Sequence, residues 1–214
     1  MSPNRIRGLY VIADGRFSLG RGCLETAEAA IRGGASVIQL REKELPFAEA
    51  LGVALEIRKL TQERGITFII NDDGRLAIEC GADGLHLGQE DMPLSEARAL
   101  LGYGKIIGIS THSLEEALAA QDGGADYIGF GPMYRTPTKD SGTPKGPEGL
   151  AAIRGRIRIP IAAIGGINAG NAGEIVRAGA DALAVITAVT GADDIAAAAA
   201  GISSVFGYTG GMDV

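Results

Sequence analysis

The order of short apolar runs along the chain is the feature that most constrains its fold. Eight such runs, rich in Val, Ile and Leu, alternate with longer amphipathic stretches. Strands that are apolar on both faces are typical of parallel sheets buried between two layers. Eight strands that are each followed by a helix make up a (β/α)8 barrel. We therefore predict an α/β fold, a single-domain (β/α)8 TIM barrel.

The predicted elements follow one another with few insertions. Strands are predicted at residues 8–13, 36–41, 67–71, 84–88, 105–111, 127–131, 160–165 and 182–189. Helices are predicted near residues 23–33, 47–64, 74–80, 94–101, 113–122, 147–154, 169–178 and 192–204. The barrel then occupies residues 8–206, and we expect residues 1–7 to be frayed and residues 207–214 to form a flexible tail.

A weak internal repeat supports this count of strands. It reads Gly-Ala-Ser at 34–36 and Gly-Ala-Asp at 81–83, 124–126 and 179–181, each time between a predicted helix and a predicted strand. The glycine supplies a left-handed residue that ends the helix, and the alanine packs against the strand that follows. A doubly wound open sheet is the alternative fold, but no GxGxxG motif follows the first strand.

Charge and composition exclude several classes of partner. The net charge is −6 and the pI is about 5, which argues against a broad surface for nucleic acid or for an anionic membrane. No apolar run reaches the roughly 18 residues of a membrane span, and no secretory leader is visible. Cys23 and Cys80 lie far apart without CxxC spacing, as reduced thiols of a cytoplasmic protein do. The sequence does not decide between a monomer and a homo-oligomer.

Three polar residues at the end of the second predicted strand point to an anion site. In a barrel the active site forms at the carboxyl ends of the strands. Gln39, Arg41 and Lys43 alternate there, so we expect them on one side. Arginine matches phosphate oxygens with a planar fork, and lysine is a compact charge. The alternative is a rim in which these cations pair with Glu42 and Glu44.

Two acids end neighbouring strands. Asp72 follows the third predicted strand and Asp91 lies just after the fourth. A pair of carboxylates suits a hard cation such as Mg²⁺, which binds proteins through a few carboxylates together with substrate phosphates. Either acid alone is equally typical of a helix N-cap. The two together favour a magnesium site.

The sixth and seventh strands are followed by further candidates for phosphate binding. The segment 127–145 leaves a buried strand and then loses all hydrophobic periodicity, and such long loops are usually functional. It carries Arg135, Lys139 and Lys145, and it places Thr136 and Thr138 beside Lys139. A floppy solvent loop has a similar composition and is the alternative.

A glycine pair ends the seventh strand. The run 165–168 reads Gly-Gly-Ile-Asn and precedes a predicted helix, which leaves backbone N–H groups for a phosphate. Glycine pairs also form simple turns, so this signal is weak by itself. His86 and His112 are the two histidines of the chain. We predict a core or orienting role for His86 and a loop-orienting role for His112, and no proton transfer for either.

In order along the chain, these motifs resemble the thiamine phosphate synthase family. The matching segments read Gln-Leu-Arg-Glu-Lys at 39–43, Ile-Asn-Asp at 70–72, Gly-Ala-Asp-Gly-Leu-His-Leu-Gly-Gln-Glu-Asp at 81–91, Gly-Ile-Ser-Thr-His at 108–112, Gly-Ala-Asp-Tyr…Gly-Pro at 124–132, Thr-x-Thr-Lys at 136–139 and Ala-Ile-Gly-Gly-Ile at 163–167. The resemblance extends over about residues 8–192. Together the motifs are highly specific, whereas no single one is.

The resemblance implies a reaction and a role for each matching residue. The reaction joins 4-amino-5-hydroxymethyl-2-methylpyrimidine diphosphate to a thiazole phosphate and releases diphosphate. The implied diphosphate ligands are Gln39, Arg41, Lys43, Asn71 and Lys139, with Arg41, Lys43, Ser110 and Lys139 implied in catalysis. Asp72 and Asp91 are implied to hold Mg²⁺, and Ser110 to lie by the pyrimidine or the leaving group. The implied thiazole phosphate ligands are Thr136, Thr138, Gly166, Ile186 and Thr187.

The chain departs from the family pattern at a few positions. Asp73 stands where the family usually has Arg, Tyr134-Arg135 replaces Phe-Pro, and Thr187 replaces a common Ser. These changes concern loop behaviour and thiazole contacts rather than the metal and diphosphate residues. A related thiazole tautomerase and a non-catalytic ligand sensor are the alternative functions. The tautomerase relatives carry Gly-His where this chain has Gly131-Pro132, and a sensor is expected to lack Lys139 or one of the acids.

Overall fold

Eight parallel strands form a closed barrel in the computed structural model, which describes residues 5–136 and 142–207. The strands are β1 (Gly8–Asp14), β2 (Ala35–Arg41), β3 (Thr67–Asn71), β4 (Gly84–Leu87), β5 (Ile106–Thr111), β6 (Tyr127–Phe130), β7 (Ile161–Ile164) and β8 (Ala182–Val185). Each strand pairs with its neighbour in sequence, and β1 closes the barrel by pairing with β8 from Gly8↔Ala182 to Val11↔Val185. The predicted (β/α)8 barrel is confirmed.

The helices surround the barrel. They are α1 (Cys23–Arg32), α2 (Phe47–Arg64), α3 (Gly74–Glu79), α4 (Leu94–Leu101), α5 (Leu114–Asp122), α6 (Gly146–Arg154), α7 (Ala172–Arg177), α8 (Thr187–Thr190) and α9 (Ile195–Ser203). Local chemistry sets several ends. Asp73 and Ser113 accept hydrogen bonds from the first-turn N–H groups of Leu76 and Glu116, and α2 ends at the left-handed Gly65.

The prediction for the eighth strand was too long. The apolar run 182–189 reads as one strand, but β8 ends at Val185 and α8 begins at Thr187. Val189 and Thr190 are buried because α8 packs next to β1 and α9. A short apolar helix and a buried strand have the same hydrophobic pattern, so periodicity could not separate them.

Alternate strand residues face two separate cores. The large core lies between the barrel and the helices. The smaller core fills the barrel interior and includes Tyr10, Val37, Ile69 and Tyr127. Odd-numbered positions of β2 therefore point inwards, which places Gln39 and Arg41 above Val37 along the inner wall.

The three Gly-Ala-Asp repeats make the same set of contacts at the amino ends of the strands. Each aspartate accepts a hydrogen bond from an N–H at the start of the preceding strand and pairs with an arginine of the helix before that strand. The sets are Asp83 with Phe68 and Arg58, Asp126 with Ile107 and Arg98, and Asp181 with Ile161 and Arg154, with distances of 2.5–3.0 Å. This end of the barrel is therefore stabilised, and the opposite end is left for function.

The amino-terminal segment differs from the expected frayed end where it is described. Ile6 is buried in the inner core, Arg5 pairs with Asp83 at 2.9 Å, and the Arg5 carbonyl accepts from Thr67 Oγ1 at 3.1 Å. Ile6 therefore closes the lower end of the barrel. The rest of the predicted frayed end, residues 1–4, and residues 208–214 of the predicted tail lie outside the described residues.

Candidate active site

Several of the predicted site residues lie on the rim formed by the carboxyl ends of the strands. Arg41 is the last residue of β2, Asn71 the last of β3, and Ser110 lies one residue before the end of β5. Asn71 is half-buried and pairs in register with His86 of β4. Parallel closure brings residues that are far apart in sequence to one mouth, as the barrel prediction requires.

A buried carboxylate at the end of β1 holds two arginines. Asp14 Oδ2 accepts from Arg41 at 2.6 Å and from Arg16 at 2.8 Å, and Asp14 Oδ1 accepts from the Arg16 side chain and backbone at 3.1 Å. The Asp14 side chain is 1% exposed, whereas that of Arg41 is 25% exposed. The Arg41 guanidinium is thus fixed by a buried carboxylate, while a quarter of the Arg41 side chain stays exposed.

Sequence reasoning missed Asp14 and Arg16. The available signal is that Asp14-Gly15-Arg16 directly follows the apolar run of the first predicted strand, at the end where barrel sites form. The alternative of a rim paired with Glu42 and Glu44 is wrong. Instead, Glu42 Oε1 accepts from the N–H groups of Lys43 and Glu44, both at 2.8 Å, and so orders the turn after β2.

Lys43, Asp72 and Asp91 form a second charged group. Lys43 Nζ lies 2.5 Å from Asp72 Oδ2. Burial and the neighbouring Asp91 raise the pKa of Asp72 above its ordinary value, although Lys43 opposes this shift. Asp91 also accepts from the Gly88 N–H at 2.6 Å. The two acids therefore lie close enough for each to affect the charge of the other.

Asp72 has an uncommon backbone conformation. Its φ is +62°, a left-handed value that costs a non-glycine residue of the order of 1 kcal/mol or more. Its N–H donates to the His86 carbonyl at 2.8 Å, which fixes the conformation. The N-cap of α3 is the next residue, Asp73, so Asp72 does not serve as that cap. The Asp72 carboxylate is therefore not used as a helix cap, and it pairs with Lys43 at the rim.

The acid pair fits a hard divalent cation. Oxygen ligands are those that Mg²⁺ prefers, and Mg²⁺ commonly binds one or two protein carboxylates together with water and substrate phosphates. Within the described ranges no cluster of three or more metal-ligating side chains is present. The two carboxylates suffice for a substrate-linked Mg²⁺ ion but not for an all-protein cage.

Gln39 lies deeper, inside the barrel. Its side chain is buried and Nε2 donates to the Tyr10 hydroxyl at 2.7 Å. Tyr10 Oη lies 2.9 Å from Tyr127 Oη. Burial raises the pKa of both tyrosines well above the ordinary value, so both hydroxyls stay protonated at neutral pH. These tyrosines were assigned no role from the sequence.

His86 connects this buried group to Ser110. Its Nδ1 lies 2.8 Å from Tyr127 Oη, and its Nε2 lies 2.9 Å from Ser110 Oγ. Gln89 Nε2 donates to the Ser110 carbonyl at 2.5 Å and so holds the end of β5. The predicted orienting role of His86 agrees with this geometry. His112 is bonded to Glu116 through its backbone N–H at 2.7 Å, which orders the fifth loop.

The residues implied to bind the thiazole phosphate lie on the opposite side of the mouth. Gly166 has φ of +66°, and a Cβ there would lie 2.7 Å from the Arg135 carbonyl oxygen. In the described chain, no carbonyl accepts from the N–H of Gly166 or Ile167. Ile186 packs against the inner core, and Thr187 is exposed at the start of α8. Thr136 is half-buried, and Thr138 and Lys139 lie outside the described residues.

Both described ends of the loop after β6 are anchored, unlike a floppy solvent loop. Met133 is buried, and its N–H donates to the Ile164 carbonyl at 2.8 Å. The Tyr134 N–H donates to Gly165 at 2.9 Å, and the Tyr134 hydroxyl donates to Glu174. The Lys145 N–H donates to the Pro132 carbonyl at 2.8 Å. These bonds fix the loop ends beside the glycine pair.

Comparison with known proteins identifies the family. Residues 9–189 match the family model described as thiamine monophosphate synthase. A thiamine-phosphate synthase of Chloroflexus aurantiacus is 48% identical over 94% of this chain and 93% of its own length. Another, from Moorella thermoacetica, is 50% identical over 89% of this chain and 91% of its own length.

Solved structures agree with the sequence comparison. A thiamine phosphate pyrophosphorylase from Pyrococcus furiosus is similar with a TM-score of 0.86 and 40% identity, over 94% of this chain and 96% of that one. A 3-hexulose-6-phosphate synthase, at 20% identity and a TM-score of 0.69, shares the fold. The described helices include none that is long and apolar enough to cross a membrane. The sequence match over most of the chain and the barrel with its polar mouth show that the chain belongs to the thiamine monophosphate synthase family.

Proposed function

We propose that this protein joins 4-amino-5-hydroxymethyl-2-methylpyrimidine diphosphate to 4-methyl-5-(2-hydroxyethyl)thiazole phosphate, giving thiamine phosphate and diphosphate. One observation carries the proposal: a member of this family brings Arg41, Lys43 and two neighbouring acids to a single rim of its barrel. Such a rim is suited to a diphosphate that leaves with several negative charges.

The proposed substitution is dissociative. The bond between the pyrimidine methylene carbon and the diphosphate oxygen breaks, and its electron pair stays with diphosphate. The amino-substituted ring shares the positive charge left on the methylene carbon. The lone pair of the thiazole nitrogen then forms the new C–N bond, so no protein base has to generate the nucleophile. The protein holds the two partners in line, which converts a bimolecular step into a local one.

The cations of the rim are assigned to the diphosphate. Arg41 presents a planar fork for two phosphate oxygens and Lys43 a point charge, and Lys139 adds a second ammonium from the loop after β6. Gln39 and Asn71 are assigned as polar ligands of the same substrate, with Ser110 beside the ring or the leaving oxygen. Preorganised donors aimed at developing charge are typically worth about 3–4 kcal/mol of barrier each.

We assign Mg²⁺ to Asp72 and Asp91. The raised pKa of Asp72 supports this assignment, because Asp91 disfavours the Asp72 charge and a bound cation would offset that repulsion. When bound, the cation supplies positive charge to the leaving diphosphate oxygens. Lys43 neutralises Asp72 in this structure, and a cation on Asp72 would leave the Lys43 ammonium for the substrate.

The thiazole phosphate is assigned to the side of the mouth formed after β7 and β8. Phosphate sites of barrels commonly use these two loops and the start of a short extra helix, and α8 is such a helix. Gly166, Ile186 and Thr187 supply this side, and the loop after β6 adds Thr136 and Thr138. The close approach of Gly166 to Arg135 and Tyr134 supports contact between the two loops.

We also propose that the protein acts in the cytoplasm. Both cysteines are free and buried. Burial, with smaller effects of Glu42 and Asp14, raises the pKa of the Cys23 thiol to about 12, and burial also raises that of Cys80. Thiols of this kind are unreactive and need no oxidising compartment.

Product analysis with purified protein tests this function against thiazole isomerisation. The protein is incubated with Mg²⁺ and 4-methyl-5-(2-hydroxyethyl)thiazole phosphate, with or without the pyrimidine diphosphate, and in parallel with a carboxylated thiazole phosphate alone, and products are identified by mass spectrometry. We expect a coupled product only when both substrates are present. An isomerised thiazole phosphate formed without the pyrimidine would overturn the proposal and indicate a tautomerase.

A further inference from the structure

Five side chains from five strands form one hydrogen-bonded chain across the barrel interior. The chain runs from Gln39 of β2 through Tyr10, Tyr127 and His86 to Ser110 of β5, and its four contacts measure 2.7, 2.9, 2.8 and 2.9 Å in that order. Tyr10 and Tyr127 are fully buried. Ser110 is half-buried at the rim. The chain therefore connects the floor of the mouth to one of its walls.

The donor at the Gln39 end sets the direction of the whole chain. Gln39 Nε2 can only donate, so Tyr10 Oη accepts from it. Among the described residues, the remaining partner of Tyr10 Oη is Tyr127 Oη, which must take the Tyr10 proton. Tyr127 in turn donates its own proton to His86 Nδ1. Tyr10 and Tyr127 are 1% and 0% exposed, and buried hydroxyls of this kind are hydrogen-bonded, so each proton goes to its described partner.

The direction of these hydrogen bonds sets the tautomer of His86 and the direction of the Ser110 hydroxyl. With Nδ1 accepting, the imidazole carries its proton on Nε2 and donates to Ser110 Oγ. No described side chain or carbonyl takes the Ser110 proton, so it is left for a ligand in the mouth. We propose that His86 is a positioning residue, held by the tyrosine pair as the Nε2–H tautomer, which makes Ser110 a hydrogen-bond donor to the substrate.

Packing keeps the chain in one arrangement. A Cβ on Gly108 would lie 2.1 Å from Tyr127 Cζ, and a Cβ on Gly129 would lie 3.1 Å from His86 Cε1. These two strand glycines thus make room for the two rings. The Tyr127 and His86 rings lie 5.4 Å apart between centroids and are tilted by 35°.

The assignment of Ser110 rests on the proposed function, whereas the tautomer of His86 does not. A donor at Ser110 selects an acceptor on the substrate, either a phosphate oxygen or an unprotonated ring nitrogen. A Ser110 hydroxyl that accepted from the ligand would instead favour the exocyclic amino group. Because the His86 N–H occupies one lone pair of Ser110 Oγ, the Ser110 proton is directed at the acceptor groups of the pyrimidine diphosphate.

Nitrogen NMR of the full-length protein tests the tautomer of His86 directly. The chain has two histidines, so ¹⁵N-histidine labelling of wild type and of the His112→Asn variant assigns the His86 signals. We expect a protonated Nε2 and an unprotonated Nδ1 at neutral pH. In Tyr127→Phe the Nδ1 partner is lost, and we expect a mixture of tautomers. A protonated Nδ1 in the wild type would overturn the proposal without any variant or substrate.

A kinetic double-mutant cycle tests whether His86 and Tyr127 act through Ser110. Tyr127→Phe is expected to lower kcat by about 10-fold, within the 10–100-fold range for residues that orient another ligand. In a Ser110→Ala background the same change should have little further effect, because the group it orients is gone. Tyr103→Phe, at a 94% exposed tyrosine, is the matched control and should have no effect. Independent, multiplicative effects of Tyr127→Phe and Ser110→Ala would contradict the proposal. An inactive wild type with the expected tautomer would instead refute the proposed reaction alone.

Discussion

The Arg41 guanidinium lies 2.6 Å from the carboxylate of Asp14, a residue 27 positions earlier in the chain and almost completely buried. The contact joins the ends of β1 and β2, so it depends on strand pairing and not on local sequence. A buried carboxylate that also binds Arg16 keeps the guanidinium fork of Arg41 in one orientation. Asp14 is thus the residue that aims the proposed diphosphate ligand.

Removal of the Asp14 charge is predicted to weaken the diphosphate site. Asp14→Asn keeps the shape of the side chain but loses the charge that holds Arg41, so kcat/KM for the pyrimidine diphosphate should fall by about 10-fold or more. Steady-state kinetics with product diphosphate as an inhibitor measures the effect, and inhibition should weaken in parallel. Glu28→Gln breaks an exposed ion pair with Arg32 and is the control, since such pairs contribute little. Wild-type kinetics for Asp14→Asn would refute the aiming role.

Asp72 is predicted to titrate above the ordinary aspartate range, because burial and Asp91 both disfavour its charge. Asp91→Asn removes one cause and should lower the pKa of Asp72, whereas Lys43→Met removes the opposing charge and should raise it. Carboxyl ¹³C NMR of the metal-free protein measures both shifts. Because protons compete with Mg²⁺ for this carboxylate, Mg²⁺ binding should weaken as the pH falls toward that pKa. The same midpoint in all three proteins would contradict the proposed coupling.

Gly166→Ala is predicted to raise the KM for the thiazole phosphate more than the KM for the pyrimidine diphosphate. The new Cβ would lie 2.7 Å from the Arg135 carbonyl oxygen and 2.8 Å from Tyr134 Cβ, so the two loops must separate. Gly124→Ala is the matched control, because Gly124 has φ of +90° with nothing within 4 Å. That control should cost roughly 1–2 kcal/mol of stability for the left-handed backbone and leave both KM values unchanged. Equal changes in both KM values for Gly166→Ala would indicate a general structural role.

The stability of the lower end of the barrel is predicted to depend on pH through Asp83. Burial raises the pKa of this carboxyl, but the Phe68 N–H, Arg5 and Arg58 outweigh that effect and lower it overall. A lowered folded-state pKa stabilises the protein above the unfolded-state pKa of about 4, and this contribution is lost as the pH falls through the folded-state value. Asp83→Asn should therefore lower the free energy of unfolding by about 1–3 kcal/mol at pH 7.

Urea unfolding at two pH values measures the Asp83 effect. The difference between wild type and Asp83→Asn should shrink when the pH is lowered from 7 to about 3. Asp122→Asn, at an exposed position at the end of α5, is the control and should show a small difference at both pH values. A difference for Asp83→Asn that does not change with pH would contradict the ionic explanation.

Lys139→Ala is predicted to lower kcat by about 10²–10³, the range for a lost transition-state donor. The prediction rests on the family resemblance of Thr-x-Thr-Lys at 136–139, because Lys139 lies outside the described residues. Arg135→Ala removes a nearby exposed cation that has no counterpart in the family and should change kcat little. Single-turnover kinetics separates the chemical step from product release. Similar losses for both variants would point to the net charge of the loop rather than to Lys139.

Much of the fold could be predicted because the strand pattern is repeated. Each βα unit buries its strand on both faces, so eight apolar runs with intervening helices leave few other folds. The repeated Gly-Ala-Asp segments mark the boundaries of the units in the sequence. The hydrogen bonds and ion pairs of Asp83, Asp126 and Asp181 cannot be predicted from the sequence. Their bonds join a loop to the preceding strand and helix, a relation that requires the three-dimensional register. The prediction merged the eighth strand with α8, because a buried strand and a short apolar helix have the same hydrophobic pattern.

The site was predictable where one residue acts at one strand end. Arg41, Lys43, Asp72 and Ser110 could be placed at the rim by counting strands. The supporting residues could not, because their role comes from contacts across the barrel. Tyr10 and Tyr127 read as ordinary core aromatics, and only closure of the barrel brings their hydroxyls to 2.9 Å. The glycines of β5 and β6, Gly108 and Gly129, were the one local sign that bulky rings fill this layer.

The most direct test of the central claim is the stoichiometry of the coupled reaction. Purified protein is given the pyrimidine diphosphate, the thiazole phosphate and Mg²⁺, and both thiamine phosphate and diphosphate are quantified over time. We predict one diphosphate for each thiamine phosphate, no product when any component is omitted, and loss of turnover with EDTA and in Asp72→Ala and Asp91→Ala variants that remain folded. Failure of the wild type to form thiamine phosphate from both substrates and Mg²⁺, or turnover that EDTA and both substitutions leave unchanged, would contradict the account.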